Sequence, residues 1–195
     1  MVLFGSISLW ASIVGSKHDF SSQGWSQGEI CLPCHTPHNA ESNLDGPLWN
    51  HEVSSTTYTL YSSQYANATV PVQPEMGSIT RLCLSCHDGT IALDSFGGGS
   101  GSNYIGSDGL VGTNLGDDHP VSVQWTHNSN SLTSSICTNC HDIRDPTLPY
   151  GFELKFFSGR VECATCHDPH NNTVETYMLR KTMVGSELCL HCHDK

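Results

Sequence analysis

Residues 163–170 read Cys163-Ala-Thr-Cys166-His167-Asp-Pro-His170, and the first five of them set a pattern for the whole chain. The same C-x-x-C-H spacing recurs at Cys31–His35, Cys83–His87, Cys137–His141 and Cys189–His193, so five copies use all ten cysteines. Two thiols three residues apart reach both vinyl groups of one porphyrin, while the next residue presents an imidazole to its iron. The run therefore reads as a c-type haem attachment site. Cys31, Cys34, Cys83, Cys86, Cys137, Cys140, Cys163, Cys166, Cys189 and Cys192 are the expected covalent anchors of five haems, with His35, His87, His141, His167 and His193 as proximal iron ligands. Zinc knuckles come in pairs, and five motifs leave one without a mate. Neither a zinc site nor a redox dithiol requires a histidine after every second cysteine, and disulfide pairing predicts an even cysteine count but no such histidine.

Seven further histidines remain: His18, His38, His51, His119, His127, His170 and His191. Five irons closed on both faces need five of them. His38 and His170 each follow a proximal histidine by three residues, in His35-Thr-Pro37-His38 and His167-Asp-Pro169-His170. One short turn cannot wrap both faces of a porphyrin, so each is expected to ligate a neighbouring haem, the intervening proline fixing the backbone direction. His119 precedes Pro120, which favours an extended backbone, and Asp117 or Asp118 is the expected acceptor for its free ring nitrogen. His51 has an apolar approach through Leu48 and Trp49, and His18 lies upstream of every motif. The expected distal ligands are thus His18, His38, His51, His119 and His170, with His127 spare and His191 pointing away from its own motif.

Composition narrows the remaining classes. The chain has 195 residues, only 37% hydrophobic and 14% charged, so it is thinly supplied for building an apolar core. Eight basic against nineteen acidic residues give a net charge of -11, which repels nucleic acid and anionic membranes. The longest apolar run, Met1 to Gly15, is interrupted by Gly5, Ser6, Ser8 and Ser12 and has no basic residue before it. It is too short to span a membrane and an imperfect signal peptide. The expectation is mature chain packed against another subunit, the export signal already removed. Thioether linkage places the protein outside the cytoplasm, in the periplasm or beyond.

The motif starts are 52, 54, 26 and 26 residues apart, as though a short unit were repeated with insertions. One domain is expected over 1–195, with 1–27 as an N-terminal segment for subunit contact. Short helices are predicted over Ile79–Ser85, Arg160–Thr165 and Gly185–Leu190, leading into three attachment sites. The Gly/Ser-rich segment Ser95–Gly112 reads as a surface excursion or a close approach of backbone to porphyrin. Asn43–Thr69, with Tyr58, Tyr61 and Tyr65, reads as exposed decoration or lateral contact surface. Periodicity is otherwise weak, as expected where porphyrins supply the core. The eight Lys and Arg are few, and some are expected to pair with haem propionates.

The segments GEICLPCHTPHNA (28–40), PLWNH (47–51), DDHPVSV (117–123) and CATCHDPHN (163–171) resemble those of multihaem c-type cytochromes that polymerise into extracellular electron-conducting filaments in bacteria and archaea. The resemblance implies a multihaem cytochrome c fold, mostly coil with short helices packed around a chain of five covalently bound haems. It implies long-range electron transfer through bis-histidine haems without catalysis, and a head-to-tail homopolymer at the cell surface, exchanging electrons with other redox proteins or extracellular acceptors. In filament-forming relatives one distal histidine is donated across the subunit boundary. His18 resembles such a donor, and the sequence leaves open whether it crosses or folds onto its own chain. A soluble periplasmic shuttle is the main alternative. A reductase with one open haem is a lesser one, since the histidines suffice to close every site.

Overall fold

The computed structural model describes residues 13–62, 72–124, 155–171 and 176–192. The third motif with Cys137, Cys140 and His141, the proximal His193, the spare His127, Tyr65 and residues 1–12 lie outside the described residues.

Among the described residues the fold is mostly coil and poor in helix. It contains α1 (Ile79–His87), β1 (Val123–Gln124), β2 (Arg160–Val161), α2 (Cys163–Cys166) and four 3-10 turns. Helix α1 begins where the sequence places it and runs on through the second motif. Its start is set by Ser78, whose hydroxyl accepts from the Arg81 N–H at 3.3 Å. It ends at Asp88, whose N–H bonds back to the Leu84 carbonyl at 2.8 Å.

The helix expected from Arg160 starts later. Arg160 and Val161 instead pair antiparallel with Gln124 and Val123. Glu162 stays extended as the N-cap of α2 (φ -122°, ψ 169°). A segment this short takes the conformation its partner strand imposes, and that partner lies outside any local window. The predicted 185–190 helix resolves into two 3-10 turns, Val184–Ser186 and Cys189–His191, with Gly185 at φ 64° interrupting the helical geometry.

Helix α1 is buried on most sides, and its polar residues are satisfied. The Arg81 guanidinium donates to the carbonyls of Pro74, Ser54 and Thr56 and lies 4.8 Å from the centre of the Tyr58 ring. Tyr58 is therefore core rather than surface, packed with Leu84 and Leu115 against Leu60 and Val121. Its hydroxyl donates to Asp88 Oδ2 at 2.7 Å, as does that of Ser54. Burial alone would push the Asp88 carboxyl up, but hydrogen bonds from Ser54, Thr90 and Tyr58 hold it below the usual value.

Thr80 and Glu162 lock α1 to α2. The Thr80 N–H donates to Glu162 Oε2 at 3.0 Å, and the Thr80 hydroxyl accepts from the Cys163 N–H at 3.2 Å. Glu162 is 2% exposed, and burial pushes its carboxyl pKa up. Glu162→Ala leaves the Thr80 amide without its acceptor and is expected to cost about 1–3 kcal/mol in denaturant unfolding, whereas Glu162→Gln keeps an acceptor oxygen and costs less. A carboxyl pKa raised by folding contributes stability below its unfolded value that is lost as pH rises through the folded one. The Gln variant therefore lacks that pH dependence.

Candidate functional site

In the first and fourth motifs the backbone turns so that the histidine N–H bonds the carbonyl of the first cysteine, at 2.8 Å (His35 to Cys31) and 3.0 Å (His167 to Cys163). One helical turn thus carries both thiols and the imidazole, which is why the motif works at this spacing. Packing of α1 on α2 brings different motifs into contact. The Cys83 thiol lies beside that of Cys163, and this neighbour together with burial raises the Cys83 pKa. Burial pushes the Cys34 thiol up to about 11 and the Cys86 and Cys192 thiols up to about 12, neighbouring thiols adding to each. Such thiols are not tuned for disulfide exchange at neutral pH.

Of the five histidines expected as proximal ligands, His35, His87 and His167 are described, and each is oriented in the same way. The Nδ1 atoms of His35, His87 and His167 lie 2.7, 2.6 and 2.9 Å from the backbone carbonyls of Pro47, Gly109 and Tyr177. An Nδ1–H donated to a carbonyl fixes the tautomer and leaves the Nε2 lone pair for a metal. The Ser95–Gly112 excursion returns to do this at His87, and Gly109 sits at φ +94°, a conformation side-chain-bearing residues rarely adopt. These acceptors are all main-chain atoms, and only the glycine at 109 carries any signal of them in the sequence.

Two pairs of imidazoles face one another. His35 and His170 have ring centres 6.1 Å apart and planes at 23°, and His18 and His87 are 5.9 Å apart at 56°. Two imidazoles on opposite faces of one metal have ring centres about 6 Å apart, from metal–nitrogen bonds of about 2 Å plus the half-width of each ring. His170 thus faces the proximal histidine of a motif other than the one it follows. Its Nδ1 lies 3.7 Å from Asp168, which is held in turn by Arg180 at 2.9 Å. His18 faces His87 of its own chain, with its Nδ1 3.1 Å from the Met178 sulfur. Burial, with His87, His170 and His167 nearby, lowers its pKa to about 4, so the ring is neutral and its lone pair available at neutral pH.

The other expected distal ligands are placed differently. His51 is 1% exposed, with Nδ1 2.8 Å from the Glu52 carbonyl and Nε2 3.0 Å from that of Ala92 and 3.4 Å from the Cys86 sulfur. His119 is exposed, its Nδ1 3.1 Å from the Pro120 carbonyl, and His38 is exposed beside Thr36. The two facing pairs are formed by other rings, those of His35 with His170 and His18 with His87.

The donor set fits a porphyrin better than a bare ion. Among the described residues no group of three or more His, Cys, Asp or Glu side chains is arranged to hold a metal ion. Two facing imidazoles would supply two ligands to an iron, and a macrocycle would supply the others. The described arginines are each held by acceptors of the protein itself. Arg81 is held by carbonyls, Arg160 by Ser122 and Glu75, and Arg180 by Ala164 and Asp168.

Residues 156–195 match the family described as a doubled CXXCH motif, which takes in the fourth and fifth copies. No curated protein matches the chain. The matched stretch is a haem-attaching, electron-transfer module of the c-type cytochrome kind. No helix among the described residues is long and apolar enough to cross a membrane.

Proposed function

We propose that the chain conducts electrons over long distances through five c-type haems, each closed by two histidines, and that copies join head to tail in an extracellular filament. The observation that carries this reading is the facing of imidazoles from different motifs, His170 on His35, together with the contact between Cys83 and Cys163. Haems anchored at such points would lie close to one another, whatever their order in the sequence.

The five cysteine pairs would hold the haems, and His35, His87, His141, His167 and His193 would be the proximal ligands. His170 and His18 would close the irons of the first and second motifs, and His38, His51 and His119 the remaining three. When bound, haem supplies reversible one-electron exchange between ferric and ferrous iron. The chain holds the Nδ1 atoms of His35, His87 and His167 on backbone carbonyls, keeps His18 neutral by burial and holds neighbouring attachment turns together through α1 and α2. With two strong ligands on each iron no coordination position is open to substrate, so the reading is transfer rather than catalysis.

For assembly, the support is the exposed apolar series Tyr177, Met183 and Val184, with Tyr177 83% and Val184 80% exposed, which an adjoining subunit would cover. With His18 turned onto His87 of its own chain, the proposed junction rests on haem edges meeting across the subunit boundary rather than on that ring. Electron microscopy and sedimentation of native protein are expected to show filaments with a uniform repeat. Monomers or dimers with all haems low-spin would instead establish the periplasmic shuttle. A high-spin signal in the resting EPR spectrum would point to an open, reactive haem.

A further inference from the structure

The rings of His35, His87 and His167 are turned by main-chain carbonyls, whereas His18 Nδ1 lies against a side chain, the thioether sulfur of Met178, at 3.1 Å. That sulfur carries lone pairs and no hydrogen, so the contact is attractive only when the ring has its hydrogen on Nδ1. A hydrogen on Nε2 alone would set two lone pairs against each other. The thioether thus selects the tautomer whose Nε2 is bare, in a ring whose centre stands 5.9 Å from that of His87.

Met178 is held where it is by the fourth motif. It is 9% exposed, and its carbonyl accepts from the Asp168 N–H at 2.8 Å. Leu179 forms a bridge with the backbone of His167, and the Arg180 N–H donates to the Cys166 carbonyl at 2.8 Å. The Arg180 side chain adds bonds to the Ala164 carbonyl and to Asp168, both at 2.9 Å. Tyr177 and Met178 both take left-handed backbone, at φ 60° and 56°, which residues with side chains adopt rarely and seldom in succession. This backbone turns the Tyr177 carbonyl onto His167 Nδ1 and the next side chain onto His18, 160 residues away in the chain. One strap thus orients the imidazole of the fourth motif and the imidazole that faces the second.

We propose that Met178 is the positioning residue of His18: its sulfur accepts the Nδ1 hydrogen, fixes Nε2 as the ligating nitrogen and tunes the potential of the haem carried by Cys83, Cys86 and His87. The assignment rests on the haem reading above. Its sign follows from ligand basicity. An acceptor on Nδ1 makes Nε2 more basic, and a more basic ligand favours ferric iron and lowers the potential. A thioether is a weak acceptor, so a carbonyl in its place would lower the potential further and an alkyl group would let it rise.

The test uses the intact holoprotein. Intact mass and the pyridine haemochrome spectrum of the wild type come first, and absence of covalent haem there overturns the haem reading itself, independently of Met178. A His18→Ala protein in which every haem stays low-spin overturns ligation by this ring, and the proposal with it. Spectroelectrochemical titration then compares Met178→Leu, which removes the sulfur and keeps apolar bulk, with Met178→Gln, whose amide oxygen is a stronger acceptor at similar reach. One potential is expected to move to more positive values in the Leu variant and to more negative values in the Gln variant, with the others unmoved and every haem low-spin. Lost packing alone lowers the melting temperature of both variants and does not move a single potential in opposite directions. Any other pattern, unchanged potentials included, overturns the proposal. Should the Leu variant fail to fold, Met178 replaced by norleucine, which exchanges only the sulfur for a methylene, decides.

Discussion

Replacing Cys83 and Cys86 together by alanine is expected to remove one haem and to unfold most of the described structure with it. Helix α1 is nine residues long, too short to persist in water without tertiary support. The apolar cluster it packs into has three buried members, Tyr58, Leu84 and Leu115. Each 100 Å² of apolar surface returned to water costs about 2.5 kcal/mol, against a whole-domain margin of about 5–15 kcal/mol. On the proposed haem attachment, losing about 200–600 Å² of apolar contact at this position would exhaust that margin. The same change at Cys189 and Cys192 should remove one haem and leave the rest folded, because Cys189 is exposed and its segment consists of single turns. Intact mass gives haem loading, and thermal unfolding followed by far-UV circular dichroism gives the fold. A C83A/C86A protein melting with the wild type would refute the central placement of this site.

His170→Ala is expected to leave all haems covalently attached and to turn one of them from low to high spin. On the proposed ligation, thioether bonds would still hold the haem and His35 would still ligate its iron, so only one ligand would be lost. His18→Ala should do the same to the haem of the second motif, because His18 faces His87 at 5.9 Å. The two sites are closed by different rings, so the double variant should show two high-spin haems. Because His18 lies on its own chain, its loss should be visible in isolated subunits as well as in polymers. EPR and optical spectra read both outcomes. A fully low-spin His170→Ala protein would show that the 6.1 Å pairing with His35 does not correspond to axial ligation.

The legible part of this protein was the part written in short spacings. Cys, Cys and His at i, i+3 and i+4 lie on one turn whatever surrounds them, so the attachment motifs read directly from the chain. The start of α1 at Ile79 was legible as well, and the Ser78 hydroxyl caps it there. Arg160–Val161 read as helix because their strand partner, Val123–Gln124, was invisible to a local reading. Tyr58 read as surface because its neighbours are polar, although Asp88, Arg81 and Ser54 satisfy those polar groups in the interior.

By itself, then, the sequence determined the five C-x-x-C-H motifs, the haem-attaching character they point to and the shortage of apolar side chains for a protein core. Only the tertiary structure decided which histidine faces which, that His18 turns onto His87, that Cys83 meets Cys163 and that the Met178 sulfur lies against His18. The physical reason is that a covalent anchor needs only the geometry of one turn. A facing pair of imidazoles needs two distant segments held within ångströms, and that depends on packing and hydrogen bonds no local spacing encodes.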